Sequence, residues 1–266
     1  MEVCLFITAM PRSGGTSPAR DDAADLLQAL TALAPVMPGL KQLVLHTPVP
    51  GGAHDPYLKD ESAPRCAMQF YFDELDALEA TLVHGGALHA LFDSQRDASS
   101  AVQREASPKQ RDASSAMPRF ASLDECQLSQ QVMAVRRFPV PQPRAQQSGD
   151  TRCTYLVSYE GQADDFNAWL GHYVDHHPQL MAQFPGIRQI EIYTRVDYRS
   201  DLPAVRSVAM QRNKVVFDSP DALDAALASP ARHAMRDDFK QFPPFTGENF
   251  HFPMVSRSWH AQACAT

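Results

Sequence analysis

Apolar positions change their period along the chain, and the changes mark the elements. Residues 153–159 (CTYLVSY) concentrate β-branched and aromatic side chains in a short run and predict a strand. Downstream, Phe166, Trp169, Leu170, Tyr173, His177, Leu180, Met181 and Phe184 follow one helical stripe. Asp164 or Asp165 is placed to cap its start, and Pro185-Gly186 to end it. Strands follow at about 187–196 and 205–217. Asp218-Ser219-Pro220-Asp221 reads as a helix start with proline in the first turn, and Pro230 must bend or interrupt the helix reaching Phe239. A strand near 250–259 closes this set. The earlier chain repeats the order, with strands near 2–9, 40–49, 65–72 and 128–138 and helices near 20–35 and 73–92.

The two sets also match in sequence. Gly39-Leu-Lys-Gln-Leu-Val-Leu-His46-Thr47 parallels Gly186-Ile-Arg-Gln-Ile-Glu-Ile-Tyr193-Thr194 at an offset of 147, and Phe72-Asp73 through Leu82 parallels Phe217-Asp218 through Leu227 at 145. The pattern predicts an α+β fold of two tandem ferredoxin-like βαββαβ units, residues 1–140 and 151–266, joined by a proline-bearing linker at 141–150. Residues 94–118 belong to neither repeat. They carry three near-copies, QRDASSAV, QREASPK and QRDASSAM, too poor in apolar groups to offset their ordering entropy, and are expected to form a mobile insertion rather than a solvated extension of helix 73–92.

Composition removes several classes. With 24 Lys+Arg against 31 Asp+Glu and no basic run, nucleic acid and anionic membrane surfaces are poor partners. No apolar stretch approaches the roughly 18 residues of a membrane span. The first residues, MEVCLFI, lack a basic n-region and a cleavage site, so a signal peptide is not expected. Five scattered Cys without a CxxC pair point to a reducing, cytoplasmic setting with no disulfide framework. No P-loop, GxSxG or GxGxxG occurs.

Phe166-x2-Trp169-x6-His176-His177-Pro178-x-Leu180, followed by Pro185-Gly186 and a strand, resembles the first helix of the EthD family within the dimeric α/β-barrel superfamily. Residues 217–223 and Leu227-Ala-Ser-Pro230 resemble that family's third-strand-to-second-helix junction. The likeness covers most of 151–260. Over 1–138 it rests on the repeat, because the first helix there lacks the His-His-Pro signature, and the first unit is expected to be a degenerate packing partner. The resemblance implies two units whose sheets pack as a barrel, here an intrachain pseudo-dimer, with pairing into a homodimer left open. It also implies cofactor-independent isomerases, cyclases, decarboxylases or monooxygenases acting on aromatic, polyketide or lactone substrates, some branches binding haem, with the pocket in several members between the helices and sheet of one unit.

His177 is the leading candidate for catalysis. It sits on the apolar stripe, where burial lowers an imidazole's pKa and leaves it neutral as a base; the competing reading is a hydrogen-bonded core histidine. His176 is its neighbour at a pocket mouth. His172 and His176 share a face at i, i+4 beside Asp175, but no third ligand is evident and no metal is expected. Tyr155 and Tyr159 point to one sheet face, and Tyr193 on the next strand stands where the first half has His46. These phenols, with Trp169, Tyr173 and His46, are candidates for hydrogen-bonding or walling a substrate, against plain core packing. Cys66 and His46 would form a nucleophile pair only if they met, and His54-Asp55 in the loop 50–64 is a candidate lid. The expected function is a cofactor-free acid/base isomerase, cyclase or decarboxylase acting on a small hydrophobic substrate. The alternatives are a non-catalytic binder of the same pathway, which would shift its melting temperature with ligand but release it unchanged, and a haem protein with His172, His176 or His177 as axial ligand.

Overall fold

The computed structural model describes residues 1–12, 22–57, 63–92, 123 and 125–261. The expected insertion at 94–118 lies outside the described residues. The first half runs β1 (Val3–Pro11), α1 (Asp22–Ala32), β2 (Leu40–Pro48), β3 (Cys66–Phe72), α2 (Leu75–Leu82) and β4 (Cys126–Phe138). The second runs β5 (Thr151–Tyr159), β6 (Gln162–Ala163), α3 (Phe166–Met181), β7 (Ile187–Arg195), β8 (Val205–Arg206), β9 (Gln211–Phe217), α4 (Pro220–Leu227), α5 (Pro230–Phe239), β10 (Phe245–Thr246) and β11 (Asn249–His260).

Eight long strands hydrogen-bond in the order β1-β3-β2-β11-β5-β9-β7-β4, and β4 returns to pair β1, so an antiparallel barrel closes within one chain. Closure removes the unpaired edges that an open sheet leaves. The two halves meet along β2–β11, where Thr47 faces Val255, and along β4–β7, where Val135 faces Tyr193. Within each half the strands lie in the same spatial order, second-third-first-fourth.

Strand alternation then builds two environments. Outward side chains pack under the helices as two separate apolar cores. One centres on Leu5, Leu43, Phe70 and Leu78, the other on Trp169, Tyr173, Ile190 and Phe217. Inward side chains fill the barrel with a polar network. The Lys214 ammonium lies 2.8 Å from Glu191 and donates to Tyr71 at 2.7 Å; Tyr71 and Tyr193 are 2.8 Å apart, and Tyr193 accepts from Gln69 at 2.8 Å. Gln69 in turn accepts from the His46 Nε2–H at 2.7 Å. Tyr71, Gln69 and His46 come from the first half, and Glu191, Tyr193 and Lys214 from the second, so the network ties the halves in one register. Burial raises the Glu191 carboxyl, but the Lys214 and Arg137 cations more than reverse this and hold it at about 2.

Two elements differ from the sequence pattern. The helix expected over 73–92 stops at Leu82, because Gly85 takes φ +86° and a Cβ at Gly86 would lie 2.4 Å from the Thr81 carbonyl oxygen; helical residues resume at 87–92. The strand expected over 205–217 splits into β8, which pairs parallel with β4, and β9. The 141–150 segment is tied down rather than loose, with Gln146 donating to the Asp150 and Ser256 carbonyls at 3.1 Å each. Among the described residues no helix is long and apolar enough to cross a membrane.

Candidate active site

Helix α3 begins where the Asp165 side chain accepts from the Ala168 N–H at 2.9 Å, a cap that fixes its phase. That phase buries Trp169, Tyr173, His177 and Met181 against the sheet. Ser229 precedes α5, which starts at Pro230, and the helix brings Arg232, Met235 and Phe239 over the same region while turning Asp238 toward α3. The His177 Nδ1–H donates to Asp238 Oδ2 at 2.7 Å, and the His172 ring lies 3.1 Å from Oδ1 of the same carboxylate. This pairing assigns His177 the tautomer whose Nε2 carries a lone pair. Burial lowers the His177 pKa and outweighs the hydrogen bond and charge of Asp238, which act the other way; the ring is neutral near pH 7. Burial raises the Asp238 carboxyl, but its two histidine partners reverse this, and it is ionised.

Beside His177 a partly open pocket of about 40 Å³ lies between α3, α5 and the outer face of β5, β9 and β11. Val157, Met181, Phe184, Val215 and Phe239 supply apolar walls. Polar groups converge from Tyr155, Tyr159, Asn213, Arg232 and His251. Asn213 donates to the Tyr173 hydroxyl at 2.5 Å, while its Oδ1 and the Nδ1 of His251 find no hydrogen-bond partner among the described residues. Burial, reinforced by the Arg232 charge, lowers the His251 pKa to about 3. The loop after β2 crosses from the first half. Asp55 accepts from Arg232 Nε at 2.9 Å, from Arg232 Nη2 at 3.0 Å and from the Tyr155 hydroxyl at 3.0 Å. His54 is held on Asp224 by its backbone N–H at 3.0 Å and its ring at 3.2 Å, and Tyr57 meets His233.

Of the residues singled out from sequence, the structure brings His177, Tyr155 and Tyr159 to one cavity. Tyr173 and Trp169 stand behind them, Tyr173 with its ring centre 4.8 Å from that of His177 and Trp169 stacked on Tyr173 at 5.4 Å. The other three are corrected. His176 faces out and donates to the His172 carbonyl at 3.0 Å. Tyr193 and His46 lie inside the barrel, on the opposite face of the sheet from the cavity; strand alternation sends Ile190 and Ile192 to the helices and Glu191 and Tyr193 inward. Cys66 faces the first core while His46 faces the barrel, so they do not pair, and burial raises the Cys66 thiol to about 12. Sequence reasoning missed Asp238, Arg232, His251 and Asn213. Arg232, Met235 and Phe239 recur at i, i+3 and i+7, and Asn249 and His251 alternate along β11, so period alone could have drawn attention to both elements. Among the described residues no group of three or more His, Cys, Asp or Glu side chains is arranged to hold a metal.

No protein-family model and no curated protein matches the sequence. Among solved structures, an anthrone oxidase-like protein is similar over 100% of this chain and 96% of its own, at 13% identity and a TM-score of 0.54. A protein described as a monooxygenase from Fusobacterium nucleatum is similar over 97% and 94%, at 10% identity and a TM-score of 0.50. The chain shares its fold with these two structures, a closed antiparallel barrel with helices packed on its outer face. An EthD family protein from Bacillus halodurans, 21% identical, covers 37% of this chain with a TM-score of 0.30, too little to place the α/β-barrel chain in that family.

Proposed function

We propose that this α/β-barrel protein is a cofactor-independent acid/base enzyme in which His177 is the general base toward a small substrate bearing a carbonyl or phenol oxygen. The observation that carries the reading is the 2.7 Å His177–Asp238 contact at the wall of a partly open pocket. Asp238 fixes the tautomer, burial keeps the ring uncharged, and the free Nε2 can take a proton beside a carbonyl. Tyr159, whose side chain lines the same cavity, can donate a hydrogen bond to the enolate or phenolate oxygen that develops. Isomerisation and cyclisation of aromatic, polyketide-like or lactone substrates share this first step, and decarboxylation of a β-keto acid reaches the same enolate by loss of carbon dioxide. Haem does not fit these residues. The cavity at His177 has room for about three waters, and His172 and His176 are committed to Asp238 and to a backbone carbonyl.

We read the two halves as copies of one unit of which only the second kept a working site. Gly39 and Gly186 both have positive φ, each precedes a strand with a register shift two residues on, and each faces the alanine that the repeat makes equivalent, Ala77 or Ala222. The α1 sequence, DAADLLQALTA, holds no histidine.

Incubation with a panel of enolisable aryl ketones and lactones in D2O, followed by proton NMR, tests the chemistry. The native protein is expected to speed exchange of the hydrogen next to the carbonyl of at least one compound, and His177→Ala to lose that acceleration while keeping its fold. Equal exchange by the variant would remove His177 from the mechanism.

A further inference from the structure

The contact between Asp55 and Arg232 has the form of a receptor and its occupant. Arg232 and Tyr155 both belong to the second half and both line the cavity. Together they direct three donors, Nε, Nη2 and a phenol O–H, at one carboxylate, at 2.9, 3.0 and 3.0 Å. Paired guanidinium donors in a fork match the two oxygens of a carboxylate, as Asp55 shows here. The carboxylate in that position is delivered from the first half by the loop after β2. Below it the cavity is apolar, walled by Val157, Met181, Phe184, Val215 and Phe239, and it is small at about 40 Å³ against the ~300 Å³ or more of an ordinary ligand site.

We infer that Arg232 and Tyr155 form a carboxylate-binding subsite, that Asp55 occupies it as an internal stand-in for the ligand, and that a small aromatic monocarboxylate displaces Asp55 to enter the cavity. The inference rests on the reading of this cavity as the site of action and adds the substrate class. The carboxylate replaces Asp55 on Arg232, and the ring fills the apolar space beneath. Release of Asp55 frees the loop segment that the carboxylate had held, which supplies the volume that the closed cavity lacks. The observed arrangement is then the closed, self-occupied state, and apparent affinity is reduced by the fraction of molecules in that state.

Calorimetric titration with benzoate tests this on the whole chain. The native protein is expected to bind weakly, and Asp55→Asn about tenfold or more tightly, since the competing carboxylate is gone. Arg232→Gln introduced into the Asp55→Asn protein is expected to abolish binding, because the subsite itself is lost. Failure of Asp55→Asn to bind benzoate more tightly, or unchanged binding after Arg232→Gln is added, would overturn the subsite. Asp55→Asn leaves a buried guanidinium without its counter-ion, so the native protein supplies a second readout. Saturating benzoate is expected to speed hydrogen exchange at the His54 and Tyr57 N–H groups, and no change there would equally overturn the inference. Benzoate has no exchangeable hydrogen next to its carboxylate, so its binding is read without any catalytic step, and failure of the subsite and failure of the catalytic reading appear in different experiments.

Discussion

His46 offers a test of the interior network that needs no substrate. Its side chain is fully buried in the barrel, its Nε2–H donates to Gln69 at 2.7 Å, and its Nδ1 has no partner among the described residues. Burial lowers its pKa from 6.5 to about 3, the nearby Lys214 ammonium adding to the effect. The folded protein therefore keeps this ring neutral while the unfolded chain protonates it below pH 6.5, so His46's contribution is complete above that pH and is lost as pH falls toward 3. The loss runs at about 1.4 kcal/mol per pH unit, or about 2–3 kcal/mol between pH 7.5 and 4.5. His46→Gln keeps a donor toward Gln69 and cannot titrate. Urea unfolding of both proteins across this pH range is expected to show the native protein losing about 2–3 kcal/mol relative to the variant. Other titrating groups are common to both proteins and cancel in the difference. Parallel stability curves would refute the reasoning, because they would mean that the imidazole titrates alike in the folded and unfolded states.

Three further substitutions probe the rest of the framework. Lys214→Met removes the ammonium 2.8 Å from fully buried Glu191 while Arg137 still contacts that carboxylate at 3.0 Å, so a loss of about 3 kcal/mol is expected in chemical denaturation. A loss under about 1 kcal/mol would show that the Lys214–Glu191 pair contributes little to the barrel interior. Gly39→Ala combines φ +85° with a Cβ 3.1 Å from that of Ala77 and should cost about 2 kcal/mol, against about 1 for Gly51→Ala at φ +87° with open space around it. Equal costs would mean that the α2–β2 approach tolerates the methyl. Asp238→Asn removes the ionised partner of both His172 and His177, and should cut any His177-dependent proton exchange by at least the 10²-fold of a positioned base. Undiminished exchange would separate Asp238 from the chemistry.

The strands and helices of the barrel were legible in the sequence because their determinants are local. Alternating strands, capped helices such as the one led by Asp165, and the two glycine turns at Gly39 and Gly186 are all written over a few residues. The breaks came at Gly85-Gly86, where local backbone geometry ends the helix, and in residues 207–210, where a continuous strand pattern is interrupted. The site was half legible. His177 stood out because a polar residue on an apolar helical stripe is anomalous, and Tyr155 and Tyr159 because strand alternation places them on one face. The same alternation, carried on to β7, would have sent Tyr193 inward. Asp238 was hidden, and Asp55 stood out only as part of a candidate lid, for a different reason. Their meaning depends on partners 61 and 177 residues away, and such pairings exist only after α5 and the loop after β2 have docked.

The account depends on a neutral His177 whose Nδ1 carries the proton and whose Nε2 is open to the cavity. Nitrogen-15 NMR of the histidine rings, with His177 assigned through His177→Gln, reads this directly. The account predicts a neutral ring protonated on Nδ1 at pH 7, with a titration midpoint below 6.5. An imidazolium at pH 7, or a neutral ring protonated on Nε2, would contradict it.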